Sequence, residues 1–376
     1  MSVLAAVATL RAQSYAITAI DFHPSNLRLV SGDEEGWCIQ WSMLTRRPLA
    51  VWRSHEGSCL TVKWLSSELL LTHGRDNKLH VYRLDTVPLD TKLPKPEDSP
   101  DQWRKPWLAV SMDVNALNFC AAAILEPNRI AIPGSLNSDT IDVYDLLPQL
   151  LRPYKAITAE VKTGIVMAIE LVQNVLVAGY ESGHVAVYRL LDDGKYLRLY
   201  TCKSHSQPVL SIALHSSDST FISSSADSKI VKHPLFVEAE TAYLDAEFIS
   251  ESEPLKIVDI KHCGIASIDI RDDQKIFAVA CWDGMVRVFL YKSLKLRASF
   301  RGGRQDKVSC AKFGYTKPIA STTPSTEPAA STQLVTISEK AIVSSAIKEQ
   351  QEEKLRNKHW LAVGGKDGRI GLWEIY

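Results

Sequence analysis

One segment pattern recurs seven times along the chain and constrains its fold more than any other feature. Each copy has small residues, then a polar turn that often carries Asp, then an alternating strand that usually ends on an aromatic residue. The copies are GDEEGWCIQW (32–41), HGRDNKLHVY (73–82), GSLNSDTIDVY (134–144), GYESGHVAVY (179–188), SSADSKIVKH (224–233), ACWDGMVRVF (280–289) and GGKDGRIGLW (364–373). Such a repeat predicts a β-propeller, a fold that more often binds other proteins than performs chemistry.

Each repeated segment belongs to a larger unit of four strand-like runs. In the first unit these runs are ITAIDF (17–22), LRLVSG (27–32), CIQW (38–41) and LAVWRSH (49–55). Units of four strands at roughly 40–45 residues are typical of one WD40-type blade. We therefore predict an all-β fold, a single seven-bladed WD40-type β-propeller over residues 1–376. The chain ends after the third strand of the last unit, so we expect residues 3–10 to supply its outer strand and close the ring.

Composition excludes several classes of function. Lys plus Arg is 43 and Asp plus Glu is 43, so nothing predicts a general attraction to nucleic acid or to anionic lipid. The seven cysteines are scattered and form no CxxC pair, which favours a reducing compartment. We expect no membrane span, because no run of 18 apolar residues occurs.

The chain also lacks the common catalytic and cofactor motifs. There is no HExxH, no GxxxxGK[ST] and no GxSxG, so we predict no catalytic residues, no metal site, no cofactor and no enzyme activity. The Asp that recurs before the third strand is interpreted as a turn residue. It is Asp76, Asp227, Asp283 and Asp367, with Glu35, Ser138 and Ser182 at this place in other units. His55 and His205 each precede a new blade, and we expect them to join internal hydrogen-bond networks.

Three long segments interrupt the repeat at related places. Residues 85–106 and 236–254 lie between third and fourth strands, and residues 317–358 lie between a first and a second strand. In a propeller all three emerge on one face, together with Arg46 and Arg47. The Thr/Ser/Pro/Ala-rich part, 316–332, is predicted to be disordered, and 339–357 could form a short charged helix. The insertions could also be solvated loops without function.

Candidate binding residues follow from these positions. We hypothesise that Arg46, Arg47, Trp103, Arg104 and Trp107 contribute to a partner-binding face, because Trp and Arg are common interface anchors. The alternative is that one or both Trp of DQWRKPW (101–107) cover the outer strand of blade two. The opposite face has its own candidates, which are Trp37, Trp282, Arg301 and Arg304. RGGR (301–304) could contact phosphate, although one copy in a neutral chain is weak support.

Particular segments resemble the fungal ASTRA-associated WD-repeat proteins. They are the opening stretch 16–65, with GWCIQW followed by RRP, the segment DTIDVYDLLP (139–148) and the terminal LAVGGKDGRIGLWEIY (361–376). The resemblance implies a subunit of a nuclear assembly that contains a phosphatidylinositol-3-kinase-like protein, Tel/Tti-type maturation factors and AAA+ ATPases. It also implies links to chromatin remodelling and to the folding of such kinases. No catalytic residue of the family exists to carry over.

Three other functions remain open at this stage. A ubiquitin-ligase substrate receptor would commonly carry Trp-Asp-x-Arg at a blade end, whereas Trp282-Asp283 lies at another place and lacks the Arg. A G-protein β-like adaptor would usually carry an N-terminal coiled-coil helix. A propeller enzyme would place His or carboxylates in the central channel, and the inner strands ITAIDF, IVMAIEL and VLSIALH offer little of that.

Overall fold

The structure is a computed structural model of the chain. It describes residues 5–93, 105–115, 119–125, 129–135, 137–145, 157–158, 163–191, 196–215, 219–235, 252–261, 264–303, 307–318 and 339–376. Within these residues the strands form seven four-stranded antiparallel sheets, and one helix is present. The predicted all-β, seven-bladed propeller is confirmed.

Six blades are built from consecutive strands, numbered here along the chain. Blade one is β2 (Ile17–Phe22), β3 (Arg28–Asp33), β4 (Trp37–Ser42) and β5 (Pro48–Arg53), and blade two is β6 (Cys59–Trp64), β7 (Leu69–Gly74), β8 (Lys78–Arg83) and β9 (Trp107–Asp113). Blade three is β10 (Ala123–Leu125), β11 (Arg129–Pro133), β12 (Thr140–Asp145) and β13 (Ile157–Thr158). Blade four is β14 (Val166–Val172), β15 (Val175–Tyr180), β16 (His184–Leu190) and β17 (Tyr196–Lys203).

The remaining blades complete the ring. Blade five is β18 (Val209–Leu214), β19 (Thr220–Ser225), β20 (Lys229–Pro234) and β21 (Lys256–Asp259). Blade six is β22 (Ile265–Ile270), β23 (Ile276–Cys281), β24 (Met285–Leu290) and β25 (Leu296–Arg301). Blade seven is β26 (Val308–Phe313), β27 (Trp360–Gly365), β28 (Arg369–Glu374) and β1 (Ala8–Arg11), and helix α1 (Glu339–Arg356) lies between β26 and β27.

The two ends of the chain close the ring, as predicted. Strand β1 pairs antiparallel with β28, and Leu10 lies opposite Ile370. Within the described residues the closing strand is Ala8–Arg11, which extends one residue beyond the predicted stretch 3–10. Residues 3 and 4 lie outside the described residues. Closure pairs the outer edge of blade seven with the start of the chain, so both termini contribute to a single sheet.

Apolar packing between blades supplies the core. Each of the seven boundaries between neighbouring blades has its own cluster of buried residues, within the described part of the chain. At the boundary of blades seven and one, Leu10, Ile17, Trp41 and Trp360 belong to one cluster. Blade faces must be apolar on both sides to pack in this way, which explains why the second strands are buried along nearly their whole length.

Polar side chains also connect the innermost strands. The carboxylate of Asp21 in β2 accepts the backbone N–H of Trp64 in β6 at 2.8 Å. The carboxylate of Asp269 in β22 accepts the backbone N–H of Phe313 in β26 at 2.7 Å. These bonds satisfy backbone groups that face a neighbouring blade and lie outside any sheet ladder.

The recurring Asp residues act as turn residues. Each accepts the backbone N–H two residues further on, and the acceptors are Asp76, Asp227, Asp283 and Asp367. Blade one differs from the interpretation above, because the side chain of Asp33, not Glu35, caps its turn. Asp33 Oδ1 accepts the N–H groups of Glu35 and Trp37 at 3.0 and 2.9 Å.

Candidate functional site

Three segments far apart in sequence meet on one end of the ring. Consecutive antiparallel strands place the connections between first and second strands, and between third and fourth strands, at the same end of every blade. We call that end the insertion face. Residues 45–47 of blade one, residues 85–93 of the blade-two insertion and helix α1 of the blade-seven insertion lie there together. We call these three segments the insertion ridge.

The blade-two insertion returns across blade one before it reaches β9. Val87 and Leu89 are buried against Leu27 and Leu49, while the residues between and beside them are exposed. The hydroxyl of Thr45 also donates to the carbonyl of Leu89 at 3.4 Å. Alternating apolar residues therefore fasten this loop to blade one and leave its polar side chains facing solvent.

Arg28 connects the loop to helix α1. Its guanidinium donates to the carbonyl of Val87 at 2.5 Å, and the residue is almost fully buried. Burial lowers the pKa of Arg28, while the carboxylate of Glu352 on α1 acts in the opposite sense. The buried charge of Arg28 thus has a carbonyl partner from blade two and an electrostatic partner from blade seven.

Asn26 holds both ends of the blade-seven insertion. Its side-chain amide donates to the carbonyls of Tyr315 and Arg356 at 2.6 and 3.0 Å, and its Oδ1 accepts the N–H of Tyr315 at 2.9 Å. Asn26 has a φ of 58° and is fully buried, and Asn is one of the few side chains that adopt this conformation readily. The indole N–H of Trp360 adds a bond to the carbonyl of Leu355 at 2.9 Å.

The insertion face displays several of the residues singled out in the sequence. Arg46 and Arg47 are exposed in the turn between β4 and β5. Trp107 is 73% exposed at the start of β9, where it pairs with Arg83. Trp107 therefore does not cover the outer strand but is part of it. Trp103 and Arg104 lie outside the described residues, so their role stays a prediction.

The opposite face carries the second set of candidates in separate places. Trp37 is 39% exposed in blade one, and Trp282 is 40% exposed in blade six, where its ring covers Gly264. Arg301 is exposed at the end of β25, and Arg304 lies outside the described residues. Sequence reasoning missed Phe119, an exposed ring beneath the guanidinium of Arg75 at 4.6 Å.

His55 and His205 take part in internal networks. His55 Nδ1 lies 2.9 Å from Asp76 Oδ1, and its Nε2 lies 2.9 Å from Thr72 Oγ1. Burial lowers the pKa of His55 to about 4, although the Asp76 carboxylate acts in the opposite sense. His205 repeats the arrangement with Asp227 at 3.1 Å. A ring that is buried and hydrogen-bonded on both nitrogens supports the fold in the way the sequence predicts.

The innermost strands carry more charge than the sequence analysis expects. Asp21, Glu170 and Asp269 occur there with Lys63 and Lys312. Lys312 Nζ lies 2.7 Å from Asp269 Oδ1, and burial raises the pKa of Asp21 to about 6. Along its own strand, each of these residues is one polar position in an alternation of polar and apolar residues. The sequence of a single strand therefore does not predict the charged cluster, which forms only when the ring closes.

Within the described segments, no group of three or more His, Cys, Asp or Glu side chains is placed to hold a metal ion. Among the same residues, no helix combines the length and apolar character that spanning a bilayer requires. The features that stand out in the described part are therefore the anchored insertion ridge and the exposed aromatic and basic residues on either face.

Comparison with known proteins gives the family. A family model described as ASTRA-associated protein 1 matches residues 6–373. The chain belongs to the ASTRA-associated protein 1 family. The match extends over all seven blades and includes the closing strand β1, so the family relationship covers the propeller as a whole.

Fungal relatives agree over most of their length. The ASTRA-associated protein 1 of Penicillium rubens is 34% identical and covers 98% of this chain and 96% of its own length. The Yarrowia lipolytica relative is 33% identical, with 98% and 94% covered. The Schizosaccharomyces pombe relative is 31% identical over 76% of this chain and 87% of its own length. The predicted resemblance to this family is confirmed.

Proposed function

We propose that this propeller is a non-catalytic scaffold subunit of a nuclear, ASTRA-like multiprotein complex. The insertion ridge is the observation that carries the proposal. The blade-seven and blade-two insertions are fixed to one rigid end of the ring by Asn26 and Arg28. The same insertion face displays Arg46, Arg47 and Trp107 to solvent. A pre-formed surface loses little conformational entropy when it binds a partner. The family relatives are named ASTRA-associated protein 1, which supports the choice of complex.

The proposal extends to partners and process. Following the resemblance, the partners are a phosphatidylinositol-3-kinase-like protein, Tel/Tti-type factors and AAA+ ATPases. The associated processes are chromatin remodelling and kinase maturation. Arg side chains pair with carboxylates in fixed geometry, and an exposed Trp offers a large apolar contact. We therefore expect the contacted partner surface to combine acidic and apolar residues.

The test is affinity purification of the tagged full-length chain from its native host, followed by quantitative mass spectrometry. Arg47→Glu combined with Trp107→Ala is expected to reduce recovery of the partners at least about tenfold, since buried interface anchors each cost 1–3 kcal/mol or more. Nuclear localisation is tested separately by imaging a fluorescent fusion.

A matched control comes from blade six. Lys295 occupies the turn position that corresponds to Arg47. The backbone N–H of Leu290 donates to the carbonyl of Lys295, as that of Ser42 donates to the carbonyl of Arg47. The carbonyl of Leu290 in turn accepts an N–H from its own turn, as the carbonyl of Ser42 does in blade one. Leu296 begins the outer strand of blade six as Trp107 begins that of blade two, and it is also exposed. Lys295→Glu with Leu296→Ala should leave recovery unchanged. Equal recovery from both double variants, or enrichment of a cullin adaptor instead of the expected partners, would refute the proposal.

A further inference from the structure

Two cysteines meet at the boundary of blades one and two. Cys38 is the second residue of β4 and Cys59 is the first residue of β6, and both are free and fully buried. Their Sγ atoms lie 3.7 Å apart, in the range of a weak hydrogen bond between two thiols. Gly32 makes room for this contact, because a Cβ added there would lie 2.7 Å from Cys59 Cβ. Two nucleophilic groups are thus in direct contact inside the fold.

Five other boundaries between blades carry aliphatic pairs at the same place. There too, the second residue of a third strand and the first residue of the next innermost strand belong to one buried cluster. The pairs are Ile141 with Val166, Val185 with Val209, Ile230 with Ile265, Val286 with Val308, and Ile370 with Ile17. Aliphatic side chains therefore satisfy the packing at this position, and the two thiols add a reactivity that packing does not require.

We propose that Cys38 and Cys59 are a redox pair, which hydrogen peroxide converts into a disulfide bond between blades one and two. One sulfur, as thiolate, attacks the peroxide, breaks its O–O bond and becomes a sulfenic acid, while a first water leaves. The second sulfur then attacks the sulfenic sulfur, and a second water leaves as the S–S bond forms. In total the two thiols lose two electrons and two protons, and the peroxide gains them.

The geometry suits this bond. A disulfide has an S–S length of about 2.0 Å, so the sulfurs need to approach by about 1.7 Å, which rotation about the Cα–Cβ bonds can supply. The bond joins β4 to β6 across 21 positions of the sequence and restricts the unfolded chain. It forms at the end of the ring opposite the insertion ridge and is independent of the scaffold role proposed above.

Burial keeps the pair reduced until a small oxidant reaches it. Burial raises the pKa of the Cys38 thiol well above its ordinary value, and the hydrogen bond with Cys59 acts in the same sense. Since the thiolate is the reacting form, oxidation in the closed fold is slow. Trp37, which precedes Cys38, is exposed, and two N–H groups of the loop 54–58 donate to the carbonyl of Gly36 at 2.9 and 3.2 Å. Opening of this loop therefore exposes the thiols without unfolding the ring.

The experiment treats the purified full-length chain with hydrogen peroxide under native conditions and digests it with trypsin without reductant. Cleavage after Arg and Lys leaves Cys38 in the peptide 29–46 and Cys59 in the peptide 54–63, so mass spectrometry detects the disulfide as the joined pair. We expect the joined pair in most of the oxidised chains, and dithiothreitol should return both peptides to the thiol form. The melting temperature should rise by a few degrees on oxidation.

Cys59→Val removes one partner and should leave the fold intact. Val209 occupies the corresponding place in blade five, where Gly179 provides the room that Gly32 provides here. In this variant the Cys38 thiol should form no disulfide with another cysteine or with a second chain, and peroxide should not raise the melting temperature.

Cys310→Val is the matched control. Cys310 is also buried at a boundary between blades, but its Sγ contacts the backbone of Ile17 and no second thiol among the described residues. The yield of the joined peptides should stay within twofold of the original chain. The proposal is overturned if the folded chain gives no joined pair, if Cys38 forms disulfides as readily in Cys59→Val, or if peroxide raises the melting temperature of both chains equally.

Discussion

Asn26→Gly should release the blade-seven insertion without disturbing the rest of the ring. Glycine adopts the φ of 58° found at this position, so the substitution removes side-chain bonds without adding backbone strain. Three hydrogen bonds to Tyr315 and Arg356 are lost. At about 0.5–1.5 kcal/mol net for each bond, the free energy of local opening should fall by about 2–4 kcal/mol. Amide exchange over residues 346–358 should accelerate about 30- to 700-fold.

Hydrogen exchange followed by mass spectrometry measures this directly, and blade six offers the control. Gln274 has a φ of 55° in the corresponding turn, and its N–H donates to Arg271 as that of Asn26 donates to His23. Gln274→Gly has the same cost in unfolded-chain entropy but does not touch the insertion. The reasoning is refuted if Asn26→Gly leaves exchange in 346–358 unchanged, or if Gln274→Gly accelerates it equally.

Two further predictions concern the ring itself. Burial lowers the pKa of His55 to about 4 and that of His233 to about 3, from the ordinary 6.5. The unfolded chain therefore binds more protons than the folded chain below pH 6.5, and the free energy of unfolding should fall as the pH decreases from 6.5 towards 4. Asp21 acts in the opposite sense, because burial raises its pKa to about 6. A melting temperature that stays constant between pH 6.5 and pH 4 would contradict the expectation that the histidines determine the pH dependence of stability. Gly364→Ala places a Cβ 2.7 Å from Ile17 Cγ2 of the facing blade and 2.7 Å from Cys310 Sγ of the neighbouring strand, and it should lower the unfolding free energy by about 1–3 kcal/mol. Gly303→Ala should have little effect in the same chemical denaturation assay.

The fold was predictable because its signal repeats. Each blade buries both faces against neighbours, so every unit repeats the same alternation and the same turn chemistry. The missing outer strand of the last unit predicted closure by the N-terminus, and Leu10 does lie opposite Ile370. The bounds of the closing strand were less accurate, because a few apolar residues near a terminus do not specify register.

The sites were much less predictable. Asn26 reads as an ordinary turn residue in sequence, and its partners are 289 and 330 positions away. Arg28 lies in the predicted strand LRLVSG (27–32), and nothing local in the sequence indicates that a segment 59 positions further on covers it. Contacts of this kind depend on which loops the closed ring brings together. Arg11 and Arg369 likewise lie opposite each other only because the two ends of the chain pair.

The insertion ridge and the ring closure reinforce each other. Blade seven is joined to blade one by a shared apolar cluster, and Asn26 of blade one binds both Tyr315 and Arg356, which flank the blade-seven insertion. The insertion is therefore a second connection across the boundary that β1 closes. Because blade two is tied to the same surface through Arg28 and Val87, three blades define the geometry of the ridge. A partner that binds across the ridge would contact all three blades and would thereby stabilise the closed ring, which couples assembly of the complex to the integrity of the propeller.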